Sequence, residues 1–169
     1  MDEPSWGLDP AQLGLAFPFH LVLDRELLIV QAGASVRRLH DHDIVGRSFR
    51  ELFEVATPEI SCTFDALQAR PRSLFLLQSS TRPGLVLRGQ MFHDPVAECL
   101  IFIGSPWVTQ TSAFASLGLT LDDFAVSDAV VDYVLLLQNQ SRSLTEAREL
   151  AGRLNDSACL LYTSDAADE

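Results

Sequence analysis

Histidine and aspartate alternate at positions 40 to 43, where the chain reads His-Asp-His-Asp. Both residue types bind divalent metals, and side chains at alternate positions would converge if this segment were extended. The sequence has no further cluster of cysteine and histidine that would complete such a site. Because an isolated charged run is normally a solvated surface, we expect a loop here and no metal site.

Motifs for covalent or phosphoryl chemistry are missing from the sequence. It has no GxSxG, no GxxxxGK[ST], and no GxGxxG following a strand. The paired acids of a nucleotide cyclase and the histidine box of a kinase are also not visible. We therefore expect no catalytic residue and no cofactor in this chain, and any active site of the parent gene would lie in a part that is missing here.

The net negative charge of the chain excludes some classes of binding partner. The 169 residues include 23 acidic and 12 basic side chains, a formal net charge of −11, and every basic residue is arginine. A protein that binds nucleic acid or an anionic membrane surface needs a basic face, so neither is an expected partner. Apolar stretches such as 134–137 are far shorter than the ~20 residues of a membrane span.

Location follows from the N-terminus and the cysteines. The first ten residues contain two acids and no positively charged region, so they do not resemble a secretion signal. Cys62, Cys99 and Cys159 form no CxxC pair, and such a sparse, odd count is typical of a reducing compartment. We therefore expect a cytoplasmic protein.

Hydrophobic periodicity predicts two strands, a run of short helices and three further strands. That order is typical of an α+β fold, here a five-stranded antiparallel sheet with short helices on one face. Ser35 and Ser48 are the expected N-caps of the first two helices. The predicted strands cover 17–24, 27–32, 73–79, 85–93 and 99–108, and the predicted helices cover 35–40, 49–55 and 64–70.

A heptad pattern begins after Asp128, the expected N-cap of a long helix. About four heptads are enough to predict a coiled coil, so we expect a parallel dimer. The alternative is a single amphipathic helix that folds back on its own sheet. The first core position of the heptads holds Val130, Leu137, Leu144 and Ala151, and the second holds Tyr133, Gln140, Ala147 and Leu154.

The two ends of the chain differ from the rest. Residues 159–169 resemble an in-frame translation of a sequencing-library adapter, so we expect a non-native segment and a natural gene that continues past Ala158; a genuine acidic tail is the alternative. The predicted organisation is a flexible lead-in at 1–10, a sheet domain at 11–108, a connector at 109–127, a signalling helix at 128–158, and the adapter segment.

Strands, short helices, strands and an exit helix form the layout of PAS domains, and four segments resemble one branch of them. That branch is the haem-NO-binding-associated (HNOBA, also H-NOXA) domain of soluble guanylate cyclases and bacterial signal-transduction proteins. The blocks FPFH and RGQM lie within these segments. The four segments are 17–33, 87–108, 118–129 and 134–138.

The resemblance implies a regulatory module in nitric oxide and cGMP signalling rather than an enzyme. Members of this family pair with a second copy or with a paralogue, and their coiled coil leads to a guanylate cyclase, histidine kinase or diguanylate cyclase. The haem NO sensor would then be a separate partner protein. The alternative is a PAS sensor that holds a small molecule between sheet and helices, in a pocket lined by Phe53, Phe64, Leu76 and Phe102.

The first strand is the expected site of pairing. A haem ligand in a PAS domain would project from the helical face, and no histidine occurs between Phe49 and Arg72, so we do not expect this domain to bind haem. His20 lies in the first strand and is instead expected at the sheet surface, in the dimer contact. Cys62 also lacks the Arg-Phe-Leu that follows the cysteine of flavin-binding PAS domains. The expected dimer contact comprises Phe17, Phe19 and His20 with Val130, Tyr133, Leu137, Gln140, Leu144 and Leu154 of the long helix.

Overall fold

The computed structural model describes residues 7–108 and 111–165, with the side chains of 111–113 and 155–165 outside that description. The chain divides into two units between Val131 and Asp132. The helices are α1 (Pro10–Ala16), α2 (Ala34–Arg38), α3 (Phe49–Leu52), α4 (Phe64–Gln68), α5 (Thr111–Leu117) and α6 (Ala129–Asp165). The strands are β1 (Leu21–Leu23), β2 (Ile29–Ala32), β3 (Phe53–Thr57), β4 (Phe75–Ser79), β5 (Val86–Asp94) and β6 (Cys99–Pro106).

Within the described residues, six strands form one sheet in the order β2-β1-β6-β5-β4-β3. Every neighbouring pair is antiparallel. The predicted α+β class and antiparallel sheet are therefore confirmed, with one strand more than the five predicted.

The additional strand replaces the second half of a predicted helix. The helix expected to reach Val55 ends at Leu52, because Phe53 has extended backbone angles (φ −137°, ψ 141°). Phe53 is buried, Glu54 is exposed and Val55 is half-buried, so this segment has the two-residue period of a strand. Pairing of Phe53 with Ser79 then adds β3 to the edge of the sheet.

The hydrophobic core lies between the sheet and the short helices. Inward side chains such as Leu21, Phe75 and Phe102 are fully buried there, together with Val36 of α2 and Phe49 of α3. Side chains that alternate with them along the strands point to the other face of the sheet, called the outer face below. The core therefore lies on the face of the sheet where the short helices were predicted to collect.

Of the two predicted helix caps, the first is wrong and the second is confirmed in position. Gly33, rather than Ser35, is the N-cap of α2, and a Cβ atom at Gly33 would lie 2.0 Å from the Pro18 carbonyl oxygen. The Ser35 hydroxyl instead donates to the carbonyl oxygen of Asp123 at 2.6 Å. Ser48 is the N-cap of α3, but its side chain makes no capping hydrogen bond within the described residues.

Candidate functional site

Two of the three strand residues expected at the dimer contact are enclosed by the chain itself. Phe19 is fully buried and its ring packs against Phe124, with 5.2 Å between ring centroids. His20 is 1% exposed, whereas Phe17 is half-buried. All three precede β1, which begins only at Leu21. In this conformation, therefore, only Phe17 of the three has surface available to a second chain.

His20 holds α1 through a network of hydrogen bonds. Its Nδ1 donates to the Phe17 carbonyl at 2.8 Å, because a carbonyl oxygen can only accept. The Gln31 side-chain amide lies 3.0 Å from His20 Nε2 and 3.0 Å from the Pro10 carbonyl, so its two hydrogens serve both acceptors. Burial lowers the pKa of His20, against the opposing effect of the Phe17 hydrogen bond. The lowered pKa and the Gln31 donor at Nε2 both favour the neutral imidazole with its proton on Nδ1.

The heptad positions of α6 present apolar side chains to solvent. Tyr133 is 47% exposed, Leu144 60% and Leu154 63%. Gln140 is also exposed, while Val130 and Leu137 are half-buried. These heptad positions together are called the helix seam below. A helix gains most of its stability from packing of an apolar face, and no described residue covers the exposed part of this seam.

The four residues predicted to line a ligand pocket divide between the packed core and the outer face. Phe53, Phe64 and Phe102 are buried parts of the packed core. Leu76 lies on the outer face, since it alternates with the buried Phe75 and Leu77. The two cavities described here, of about 620 and 60 Å³, have none of the four in their lining.

The His-Asp-His-Asp segment follows α2 as a surface turn. His40 Nδ1 donates to the Val36 carbonyl at 2.8 Å, and its ring packs edge-on against Phe53. The cavity of about 60 Å³ lies beside His40 and His42, and Asp43 forms an exposed ion pair with Arg37 at 3.3 Å. Among the residues that the structure describes, no group of three histidine, cysteine or acidic side chains is placed to hold a metal ion.

A buried carboxylate, which the sequence reasoning missed, anchors the connector to the sheet domain. Asp123 accepts hydrogen bonds from Arg38 Nε at 2.9 Å and from a terminal nitrogen of Arg38 at 2.5 Å. It also accepts the backbone N–H and the hydroxyl of Thr120, at 2.7 and 2.9 Å. Burial raises the pKa of Asp123, but the Arg38 and Thr120 hydrogen bonds outweigh it and the pKa lies below its usual value. The spacing of Thr120 and Asp123 is the signal that would have revealed this capping box.

A second carboxylate anchors the start of α6. Asp128 accepts the backbone N–H of Val130 at 3.0 Å, as an N-cap side chain does, and also accepts the Ser105 hydroxyl of β6. Ser105 lies on the outer face, whereas Arg38 belongs to α2, which packs on the core side. Residues 120–130 therefore form a strap that is fixed at Asp123 to the helical side and at Asp128 to the outer face.

The outer face carries exposed apolar side chains. Val30 of β2 is 50% exposed and Phe92 of β5 is 40% exposed, and Ile101, which pairs with Phe92 in the sheet register, is half-buried. Phe92 and Ile101 are neighbours across two central strands, so they form one apolar area. Within the described residues, no helix is long and apolar enough to cross a membrane.

Comparison with known proteins identifies a family for most of the chain. The model of the family described as Heme NO binding associated matches residues 8–83 and 79–157. The alpha-1 subunit of soluble guanylate cyclase from Rattus norvegicus is 33% identical over 163 residues, which cover 90% of this chain and 23% of that protein. The alpha-2 subunit from Homo sapiens is 28% identical over 165 residues, 91% of this chain and 22% of that protein.

A beta subunit is similar as well. The beta-2 subunit of soluble guanylate cyclase from Rattus norvegicus is 30% identical over 138 residues, which cover 75% of this chain and 20% of that protein. The chain thus spans less than a quarter of the length of the curated relatives that it matches. The likeness concerns that one region of the relatives.

Proposed function

Because the chain belongs to the Heme NO binding associated family, we propose that it is a regulatory module that pairs with a second chain and relays a signal along α6. The observation that carries the proposal is the seam of exposed apolar residues along that helix, with Leu144 and Leu154 more than half exposed. A seam of this kind gains stability when a second helix covers it.

The names of the relatives support pairing between chains. They are alpha-1, alpha-2 and beta-2 subunits, so each is one part of a larger enzyme. This chain resembles both the alpha and the beta type, which supports a partner that is either a second copy or a paralogue.

The proposed contact combines the helix seam with the sheet domain. On α6 it comprises Val130, Tyr133, Leu137, Gln140, Leu144 and Leu154. On the sheet domain it includes Phe17 and the apolar area around Phe92 on the outer face. Phe19 and His20 act indirectly, because they hold α1 and the connector in place beneath this surface.

The relay is a shift between two packings of the pair. An upstream signal that favours one packing changes how the two helices cross, and a difference of a few kcal/mol between the packings is sufficient. The strap transmits this change, since it connects the sheet domain to the first turn of α6 through Asp123 and Asp128.

The upstream and downstream partners belong to the same proposal. The family description supports a haem NO sensor as the upstream partner, which we propose to be a separate protein. The relatives support a guanylate cyclase as the downstream output domain. A histidine kinase or a diguanylate cyclase could be driven by the same pair of helices. We assign no reaction to the region described here. Names that include "soluble" support a place in the cytoplasm.

Sedimentation velocity tests the pairing directly. Leu137→Asp places a charge in the middle of the proposed seam, and we expect it to convert a dimer at low micromolar concentration into a monomer because a carboxylate cannot be buried unpaired. Asn139→Asp, two positions along the same helix and outside the seam, is the matched control and should leave the dimer intact. A Leu137→Asp variant that remains dimeric would show that the helix is not the principal contact.

The small-molecule sensor remains a second candidate without comparable support. Its four predicted residues lie in the packed core or on the outer face, away from the described cavities. Native mass spectrometry of the purified chain separates it from a relay, since a sensor of that type retains its ligand.

A further inference from the structure

A groove of about 620 Å³ lies on the outer face of the sheet. β5 and β6 line it, including Ile103, as do Phe17 and Pro18. The end of the strap, up to Val130, completes the lining. This volume is in the range of sites that enclose small organic ligands, and its lining is mostly apolar with a few polar groups, as in such sites.

Two arginines at this groove have no counter-charge among the residues that the structure describes. Arg72 precedes β4 and Arg88 lies in the middle of β5, and neither forms an ion pair or a side-chain hydrogen bond with a described residue. The Gln90 side-chain amide donates to the Pro71 carbonyl at 2.5 Å and so holds the loop that carries Arg72 at the groove. In a chain of net charge −11, two guanidinium groups that line one groove without an ion pair to a described residue form a local positive site.

Asp128, the one carboxylate among the described lining residues, does not neutralise this site. Asp128 already accepts hydrogen bonds from the Ser105 hydroxyl and the Val130 N–H. Its position at the first turn of α6 is therefore fixed by partners other than the arginines. Guanidinium groups bind carboxylates through paired, charge-assisted hydrogen bonds, which sets the chemistry of an occupant.

We propose that this groove binds an organic anion with an apolar body and a carboxylate head. The head pairs with Arg88 and Arg72, and the body lies along Ile103 between Phe17 and Val130. This site differs from the predicted internal pocket, because it lies on the opposite face of the sheet. It goes beyond the relay function and does not require a second chain. Phe17 and Val130 also belong to the proposed pairing contact, so an occupant of the groove and a second chain would share these two residues.

Titration of the full chain with decanoate, below its critical micelle concentration, tests the proposal by NMR. We expect saturable shifts of the Gly104 and Val130 amides, and weaker binding of decan-1-ol, which has the same tail and no charge. Arg88→Gln should raise the apparent Kd for decanoate by about fivefold or more, because it removes a charge-assisted hydrogen bond. Its affinity for decan-1-ol should not change.

Arg37→Gln is the matched control, since Arg37 is an exposed arginine outside the groove. It should leave decanoate binding unchanged. An equal loss of decanoate affinity in both variants would show that only the overall charge of the chain matters. Equal affinity for decanoate and decan-1-ol would show that the groove does not recognise the carboxylate. Either result overturns the proposal. If dilution of the chain alone shifts the same amides and decanoate does not compete, a second copy occupies the groove, and the proposal is wrong while pairing stands.

Discussion

At the scale of single residues, buried polar groups determine how the ends of the sheet domain are held. His20 is the clearest example, since its Nε2 accepts from the Gln31 amide and must be unprotonated to do so, while its Nδ1 donates to the Phe17 carbonyl. A second proton would place an N–H on Nε2 against the amide group of Gln31, which itself donates to the Pro10 carbonyl. Charging the ring therefore breaks the link between β2 and α1.

This arrangement predicts a loss of stability in mild acid. The pKa of His20 is lowered from its ordinary value of 6.5, so below pH 6.5 the unfolded chain takes up a proton that the folded chain refuses. The free energy of unfolding should therefore fall as the pH decreases from 6.5 towards the folded-state pKa, with a slope of at most about 1.4 kcal/mol per pH unit.

Denaturant unfolding of the chain and of His20→Gln between pH 7.5 and 5 measures this effect. The variant retains the other three histidines, so the difference between the two slopes reports His20 alone. Parallel pH profiles would show that His20 does not couple protonation to folding.

At the scale of elements, the carboxylates of Asp123 and Asp128 fix the strap and the first turn of α6 to the sheet domain. We predict that Asp123→Asn weakens its first anchor, because the amide can no longer accept two charge-assisted hydrogen bonds from Arg38. The expected cost is about 1–3 kcal/mol, and residues 118–127 should exchange their amide hydrogens faster than in the unchanged chain.

Asp122→Asn is the matched control for that exchange experiment. Asp122 is the adjacent residue, carries the same charge and is exposed. It should leave the exchange of residues 118–127 unchanged. If the amide hydrogens exchange at the same rate in the two variants, the Asp123 carboxylate does not hold the strap in place. The packing of Phe124 against Phe19 and Phe114 would then do so.

The same elements show what sequence patterns can predict. Alternating hydrophobicity identifies β4, β5 and β6 to within about two residues at each end, because one face of each strand is buried. The pattern failed at Phe53, where four helical residues run directly into a strand without a turn signal.

The contacts of the candidate site were harder to predict from the sequence than the fold, for a different physical reason. Arg38 and Asp123 lie 85 residues apart, so their pairing depends on the completed fold and not on local spacing. The burial of His20 is a shorter-range case, since its partners Phe17 and Gln31 lie within 11 residues but meet it only when the chain folds. Charge could be counted from the sequence, but Arg72 and Arg88 come to line one groove only in the folded chain.

At the scale of the whole molecule, net charge opposes the pairing that the exposed seam favours. Each chain carries a formal charge of −11, so two copies repel one another while their apolar seams attract. Salt shortens the range of the repulsion, from a Debye length of about 10 Å at 0.1 M to about 3 Å at 1 M, and leaves the apolar contact largely unaffected.

We therefore predict that self-association tightens as sodium chloride is raised from about 0.05 to 0.5 M. Sedimentation equilibrium across this range measures the change, and Leu137→Asp serves as a chain of similar charge that should stay monomeric throughout. Dissociation at high salt would instead indicate that ion pairs hold the copies together, for instance between the arginines of one groove and acidic residues of the partner. In that case the helix seam would not be the main contact, and the signal would pass through the sheet domains.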